Sequence, residues 1–281
     1  MKKNIIPAFC CLLMIAAWNN AFADCTNGKS LYEQSLSETD ITQKIRLLEA
    51  SVKECPDFNA SYELAKAYEA DSQLKKAEEN LLEAGNIAKG NKAIAKVLIR
   101  MGLIYEKTGR KEDAYNLMRD AYKLHPYPRV QERLKKMDTQ RMETGLSPET
   151  IVKSLTRKGL VRGYRPEPSL DIYIHFPFDS YEFSPKGRKQ ADRLGRALTD
   201  PVFANTGFVL TGHTDYRGTH AHNNVLSGKR AKTVMDYIIK NYSLDPNRLS
   251  FKGRGKYELL YHGKTEQDHE LNRRVEVKMA E

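Results

Sequence analysis

The sequence predicts an α + α/β chain, with a helical solenoid in its first half and an α/β sandwich in its second. Three observations carry this reading. From Thr26 to Met137, Gly and Pro are scarce inside runs dominated by Ala, Leu, Glu and Lys, which are strong helix formers. Within that stretch one pattern of small and large apolar residues recurs at an offset of about 34–37 residues. After Ser169, strand-like and helix-like patterns alternate instead.

The recurring pattern has two sets. Leu64, Ala65, Tyr68, Ala77, Leu81 and Ala84 form the first; Met101, Gly102, Tyr105, Gly109, Ala114, Met118, Ala121 and Pro126 form the second. The small residues let two antiparallel helices approach closely, and Tyr, Leu and Met fill the gaps between them. A half-repeat with Leu47, Leu48, Ala50 and Pro56 comes before. These residues resemble tetratricopeptide (TPR) repeats. The second set matches nearly every signature position. The first has Ser72 where a turn Gly is usual and Lys89 where a Pro is usual. The resemblance covers about two and a half repeats over residues 24–138, near the minimum for a stable stack. It implies a concave face that takes a segment of another protein; the plainer alternative is a spacer or a dimer surface.

The first residues read as a leader. Lys2 and Lys3 precede an apolar stretch from Ile5 to Trp18, too short for a comfortable membrane span, and Ala21-Phe22-Ala23 gives the small-x-small pattern of signal-peptide cleavage. Residues 1–23 are therefore expected to be a signal peptide, with Asp24 first in the mature chain. Asp24 before Cys25 argues against lipid attachment there, and no later segment is apolar enough to span a bilayer. The expected location is the periplasm or cell envelope, free or associated with the outer membrane.

Export fixes how the cysteines read. Cys10 and Cys11 leave with the leader, so Cys25 and Cys55 remain as an even pair in an oxidising compartment. A disulfide between them closes a loop of about 30 residues, worth on the order of 3 kcal/mol in the chain-entropy model. The alternative is two free thiols.

The formal charge is +10 and is unevenly spread. Residues 24–138 carry about 20 Lys and Arg against 19 Asp and Glu, and residues 139–281 about 24 against 17. A basic half can meet nucleic acid, anionic lipid or an anionic polymer. Export removes nucleic acid from that set. Lipid-surface binding lacks its usual sign, a basic amphipathic helix with bulky aromatics.

Residues 139–168 read as a linker containing Gly145, Pro148, Gly159, Gly163, Pro166 and Pro168, with a short helix from Pro148 to Arg157. Its basic run, Lys153, Arg157, Lys158, Arg162 and Arg165, is either solvated or turned to an anionic surface.

The second module spans residues 169–281. Asp171 to Phe176 alternates like a strand. Pro185 sits where a helix can start, and Ala191, Leu194, Ala197 and Leu198 give that helix its apolar face. Gly207 to Leu210 reads as a buried strand running into Thr211-Gly212-His213-Thr214-Asp215. A second helix follows from about Asn223 to Tyr242, with Leu226, Ala231, Val234, Tyr237 and Ile238 on one face. Leu249 to Lys252 and Arg274 to Met279 are the remaining strands.

The densest group of polar residues lies between Thr211 and Ala231. It places Asp215 in a strand-end loop permitted by Gly212 and Gly218, and Arg230 about two turns into the next helix. A strand–loop–helix unit brings such a carboxylate and guanidinium to one mouth, and Asn223 near the helix start can cap it and tie down the loop. An outward-facing acid and arginine suit a zwitterion, the acid taking an ammonium and the arginine a carboxylate. The alternative is a plain salt bridge between Asp215 and Arg230.

Enzyme chemistry finds less support. His213, His220 and His222 near Asp215 do not follow a zinc-site spacing, and no H-E-x-x-H or Cys ligand pair occurs. No G-x-S-x-G elbow is present either. No catalytic residue, metal or cofactor is therefore assigned, and His213 reads as a loop-ordering or surface residue.

Several of these residues together carry a resemblance. They are Phe178-Asp179-Ser180, Gly212-His213-Thr214-Asp215 with Gly218, Asn223, Leu226-Ser227, Arg230-Ala231 and the closing Asn272-Arg273-Arg274-Val275-Glu276. Through them the segment from about Ser169 to Met279 is similar to the OmpA-like peptidoglycan-binding domain. That domain is shared by outer-membrane protein A, peptidoglycan-associated lipoprotein and the flagellar stator protein MotB.

The resemblance implies a βαβαβ-type sandwich, a mixed sheet with helices on one face. It implies that Asp215 and Arg230 hold the diaminopimelate of the peptidoglycan stem peptide, with Asp179, Asn223, Leu226 and Arg273 around them. The sequence departs from the family at Leu259, where Pro is common, and at Asp268-His269, where Gly-Arg or Gly-Lys is common. The family's membrane barrel is absent, so a porin is not expected. The resulting expectation is a non-catalytic envelope protein that anchors a protein-binding helical scaffold to peptidoglycan. Its rival is an envelope adaptor acting mainly through the repeats, with a structural C-terminal domain.

Overall fold

Helices fill the first half of the chain because few residues there interrupt them and the turns that do are short. The computed structural model describes residues 25–162, 164–167, 169–177 and 179–280. The expected leader, residues 1–23, lies outside these, as do Gly163, Pro168 and Phe178. The helices before the first strand are α1 Thr26–Ser37, α2 Ile41–Glu54, α3 Phe58–Ala70, α4 Leu74–Ile87, α5 Asn91–Lys107, α6 Lys111–Leu124, α7 Pro128–Thr144 and α8 Pro148–Leu155. Each of the connections from α1 through α7 is three residues long. Asp40 caps α2 by accepting from the Gln43 N–H, and Asp57 caps α3 by accepting from Asn59 and Ala60.

The chain divides into two compact units, the first ending at Ala93 and the second beginning at Ile94. In the first unit, Leu48, Leu64, Ala65, Tyr68, Ala77, Leu81 and Ala84 are buried, so the first repeat set is core. A disulfide joins Cys25 to Cys55, whose Cα atoms lie 5.3 Å apart, and ties the start of α1 to the end of α2. In the α3–α4 turn Ser72 adopts φ +62°, and the Gln73 N–H donates to the Tyr68 carbonyl at 2.8 Å. The α5–α6 turn repeats this, with Gly109 at φ +77° and the Arg110 N–H donating to Tyr105 at 2.8 Å. Ser72 thus takes the left-handed conformation that the second repeat gives to a glycine.

The second unit holds the sheet. Its strands are β1 Ser169–Ile172, β2 Phe208–His213, β3 Leu249–Gly255 and β4 Val275–Met279, and its later helices are α9 Pro185–Leu198, α10 His220–Tyr242 and α11 Glu266–Asn272. The strand order is β1-β4-β2-β3. β4 runs antiparallel to both β1 and β2, while β2 and β3 are parallel across α10, so the sheet is mixed. One face carries Leu170, Ile172, Phe208, Leu210, Val275 and Val277 against Leu194, Leu198, Ala231, Val234 and Ile238 of α9 and α10. Ile151 and Leu155 of α8 belong to the same core.

The opposite face is polar in one row. Asp171 lies opposite Glu276, Glu276 opposite Thr211, and Thr211 opposite Lys252. Helices α6 and α7 reach this side. Arg119 of α6 places Nη2 3.1 Å from Asp171 and donates from Nη1 to the Ser169 carbonyl at 3.0 Å. Arg274 holds the other Asp171 oxygen at 2.7 Å. Burial raises the pKa of Asp171, but the two guanidiniums outweigh it and leave the carboxyl well below the usual range. On α7, Asp138 accepts from Tyr261 at 2.6 Å, and Lys135 pairs with Asp268 at 2.5 Å.

These contacts explain where the structure differs from the sequence reading. The sequence puts its boundary after Asp138, whereas α5, α6 and α7 group with the sheet. The expected linker contains the end of α7 and all of α8, and two of its basic residues are spent on α6: Lys153 pairs with Asp113 and Arg157 with Asp120, each at 2.8 Å. The first strand ends at Ile172, short of the expected Phe176. Helix α11 is an addition; Thr265 and Asp268 form its capping box, a signal present in the sequence as Thr-x-x-Asp.

Candidate functional site

The end of β2 and the start of α10 build the site because they pack unusually close. A Cβ placed on Gly212 would stand 2.0 Å from the Ser227 carbonyl oxygen, so only glycine lets the helix lie this near the strand. Ser227 then donates to Asn224 O and accepts the Gly255 N–H at 2.9 Å, clamping α10 to β3 as well. The helix is capped by Thr219, whose side chain accepts from the His222 N–H. Asn223, expected as the cap, sits in the first turn and performs the other expected task. Its Nδ2 donates to the Arg217 carbonyl at 2.7 Å and ties down the loop.

A cavity of about 340 Å³ opens there. All six residues expected from sequence border it: Asp179, Asp215, Asn223, Leu226, Arg230 and Arg273. Asp215 and Arg230 are both buried, and they do not pair with each other. Asp215 instead binds Arg217 and Arg273, with Oδ2 2.7 Å from Arg217 Nη2 and 2.8 Å from Arg273 Nη1. Burial alone would raise its pKa; the hydrogen bonds from Arg217 and Arg273 reverse this and bring it down to about 2.

Arg230 is held differently. Its Nε donates to the Ser180 carbonyl at 2.8 Å and its Nη2 to Pro177 at 3.4 Å, and its guanidinium lies 5.2 Å from the centre of the Phe176 ring. Among the described residues, none of its hydrogen bonds or ion pairs is to a carboxylate. Burial and the nearby Arg273 lower its pKa to about 10. The charges of Asp215 and Asp179 offset this only in part. A buried guanidinium bonded only to carbonyls and facing an aromatic ring lacks a direct carboxylate partner, and an anion entering the cavity supplies one.

The rim contains groups the sequence reading did not assign. Glu266 accepts from Arg217 Nη1 at 3.2 Å and from Arg273 Nη2 at 3.1 Å, so Asp215, Arg217, Glu266 and Arg273 alternate in charge around one edge. Asp179, at φ +49°, faces His222 at 2.8 Å. Arg217 lies between Asp215 and Gly218, but nothing in its spacing distinguishes a partner of Asp215 from a solvated loop arginine. Glu266 lies too far along the chain for any spacing rule to bring it here.

The histidines do not converge. His213, expected to order the loop or lie at the surface, is buried at the end of β2 with both ring nitrogens unpartnered, which corrects the surface alternative. Burial, with Arg274 adding to it, lowers its pKa to about 3, so the ring is neutral near pH 7. His222 is engaged by Asp179, and the His220 ring lies 4.7 Å from that of Tyr257. Among the described residues no cluster of three or more His, Cys, Asp or Glu side chains is placed to hold a metal ion.

Residues 175–273 match the model of the OmpA family, and the domain they build is OmpA-like. Over 105 residues the chain is 34% identical to outer membrane protein A of Bordetella avium, covering 37% of this chain and 53% of that protein. It is also 34% identical over 105 residues to the peptidoglycan-associated lipoprotein of Pseudomonas aeruginosa, covering 37% and 60%. The chain spans about half the length of the curated relatives it matches. Among solved structures, the OmpA-like domain of FopA1 from Francisella tularensis aligns at 26% identity and a TM-score of 0.33, covering 40% of this chain and 75% of that one. No helix among the described residues is long and apolar enough to cross a membrane.

Proposed function

We propose that this chain, whose residues 175–273 form an OmpA-like domain, is a non-catalytic envelope protein that binds peptidoglycan and holds its helical repeats at the cell wall. The observation that carries the reading is Arg230, a buried cation without a carboxylate partner, bordering the same cavity as Asp215. The ligand chemistry that fits is a zwitterion. The carboxylate of a stem-peptide diaminopimelate meets Arg230, and its ammonium meets Asp215. Leu226 lines the wall beside them, and Asn223 holds the loop that carries Asp215. Asp179 and Arg273 complete the rim. Binding of this kind asks no residue to make or break a bond, and it is reversible.

In this reading the chain is exported by its leader to the periplasm, where the Cys25–Cys55 bond persists. The helical repeats of residues 24–138 then present a face to an envelope protein, and no nucleic acid partner is involved. Calorimetric titration with a soluble muropeptide bearing diaminopimelate tests the binding half. Arg230→Ala is expected to weaken binding by about 30-fold or more, in line with about 2–5 kcal/mol for truncating one partner of a buried charge pair. Equal affinity in wild type and variant, both folded, would remove the reading.

A further inference from the structure

The carboxylate assigned to the ligand's ammonium is already full. An ionised carboxylate offers about four lone-pair positions. On Asp215, Oδ1 accepts from the Arg217 backbone N–H at 3.0 Å and from Arg217 Nε at 3.2 Å. Oδ2 accepts from Arg217 Nη2 at 2.7 Å and from Arg273 Nη1 at 2.8 Å. An ammonium brings three donors and finds no acceptor position open.

We infer that the Arg217 side chain is a displaceable latch that occupies Asp215 in place of the ligand's ammonium and must swing aside for the ligand to bind. This rests on the wall-binding reading above and adds a specificity-determining residue to it.

Three features single out Arg217 rather than Arg273. The Arg217 side chain is 39% exposed against 24% for Arg273, so it has more room to leave. One rotation of Arg217 frees a position on each oxygen, whereas departure of Arg273 frees only one. Arg217 also keeps one attachment that Arg273 lacks: its backbone N–H stays on Oδ1 when the side chain leaves. Glu266, 61% exposed and shared with Arg273, can follow the departing guanidinium outward.

The latch works as a filter. A cation held by a bidentate fork yields only to a ligand that replaces it at Asp215 while also supplying an anion to Arg230. A ligand with a carboxylate but no ammonium gains the Arg230 contact and leaves Arg217 closed.

The test compares wild type with Arg217→Gln, Arg217→Lys and Arg230→Ala. Each is titrated with a diaminopimelate muropeptide carrying a free side-chain amine and with the same muropeptide N-acetylated at that amine. Arg217→Gln keeps the backbone N–H bond and loses the fork. It should bind the free-amine muropeptide about two- to fivefold more tightly than wild type, a size set by the modest strength of a partly exposed ion pair. It should show no gain for the acetylated one, and Arg217→Lys should fall between. If Arg217→Gln binds the free amine equally or more weakly while Arg230→Ala loses binding, the latch is wrong and the wall-binding reading survives. If Arg230→Ala binds as wild type does, or if wild type binds neither muropeptide, both fall.

Discussion

Arg119 and Asp171 form a buried ion pair, 3.1 Å from Nη2 to Oδ2, between helix α6 and the first strand of the sheet. Arg274 grips the same carboxylate from within the sheet. The pair sits where the polar row of the sheet meets the helices, so the second helical repeat is part of the unit that carries the binding cavity.

Removing one side of such a pair leaves a buried charge short of its partner. Arg119→Ala is expected to destabilise the second unit by about 3 kcal/mol. Denaturant unfolding followed by near-ultraviolet circular dichroism measures it. A loss below about 1 kcal/mol would mean that Arg274 alone satisfies Asp171.

That ion pair also marks what the sequence could not show. Arg119 reads as one more helix-surface cation, since its partner lies far along the chain and no spacing rule joins them. The boundary expected at Asp138 followed from that blindness. The cavity was legible for the opposite reason: Asp215 and Arg230 sit one strand–loop–helix unit apart, a separation whose geometry is nearly fixed. What could not be read there was the pairing. Both arginines near Asp215 were visible, but only the fold decides that Arg217 and Arg273 take its oxygens and leave Arg230 to carbonyls.

Ser72 illustrates a departure that was legible and is correctable. It holds φ +62° at a turn where the second repeat has Gly109. A side chain there costs about 1 kcal/mol that glycine avoids. Ser72→Gly should therefore stabilise the first unit by roughly that amount, read as a rise in its thermal midpoint; an unchanged or lower midpoint would show that the Ser72 side chain contributes more than its strain removes.

The disulfide acts in the same unit. Replacing both Cys25 and Cys55 with Ser should cost the first unit about 3–4 kcal/mol, the chain-entropy value for a separation of 30 residues. Muropeptide binding, proposed for the second unit, should stay within about twofold of wild type, since the disulfide belongs wholly to the first unit and the cavity residues wholly to the second. A large loss of binding would show that the units are coupled.

His213 makes stability depend on pH. Its folded pKa is about 3, against an ordinary 6.5, so between those values the unfolded chain binds the proton and the folded chain does not. Stability contributed by the neutral ring is present above pH 6.5 and is lost as pH falls toward 3. Glu276, whose pKa is raised by burial and by Asp171, runs in the opposite sense, so the comparison must be with a variant. His213→Gln should lose less thermal stability than wild type between pH 7 and pH 4. Parallel slopes would contradict the assignment.

The domain is proposed to grip the cell wall through Asp215 and Arg230. The most direct test of this is co-sedimentation of the full mature chain with purified, protein-free peptidoglycan sacculi, beside an Asp215→Ala, Arg230→Ala double variant shown to be folded by circular dichroism. The wild type is expected in the pellet and the variant in the supernatant. Wild type that stays in solution, or a variant that pellets equally well, would contradict it.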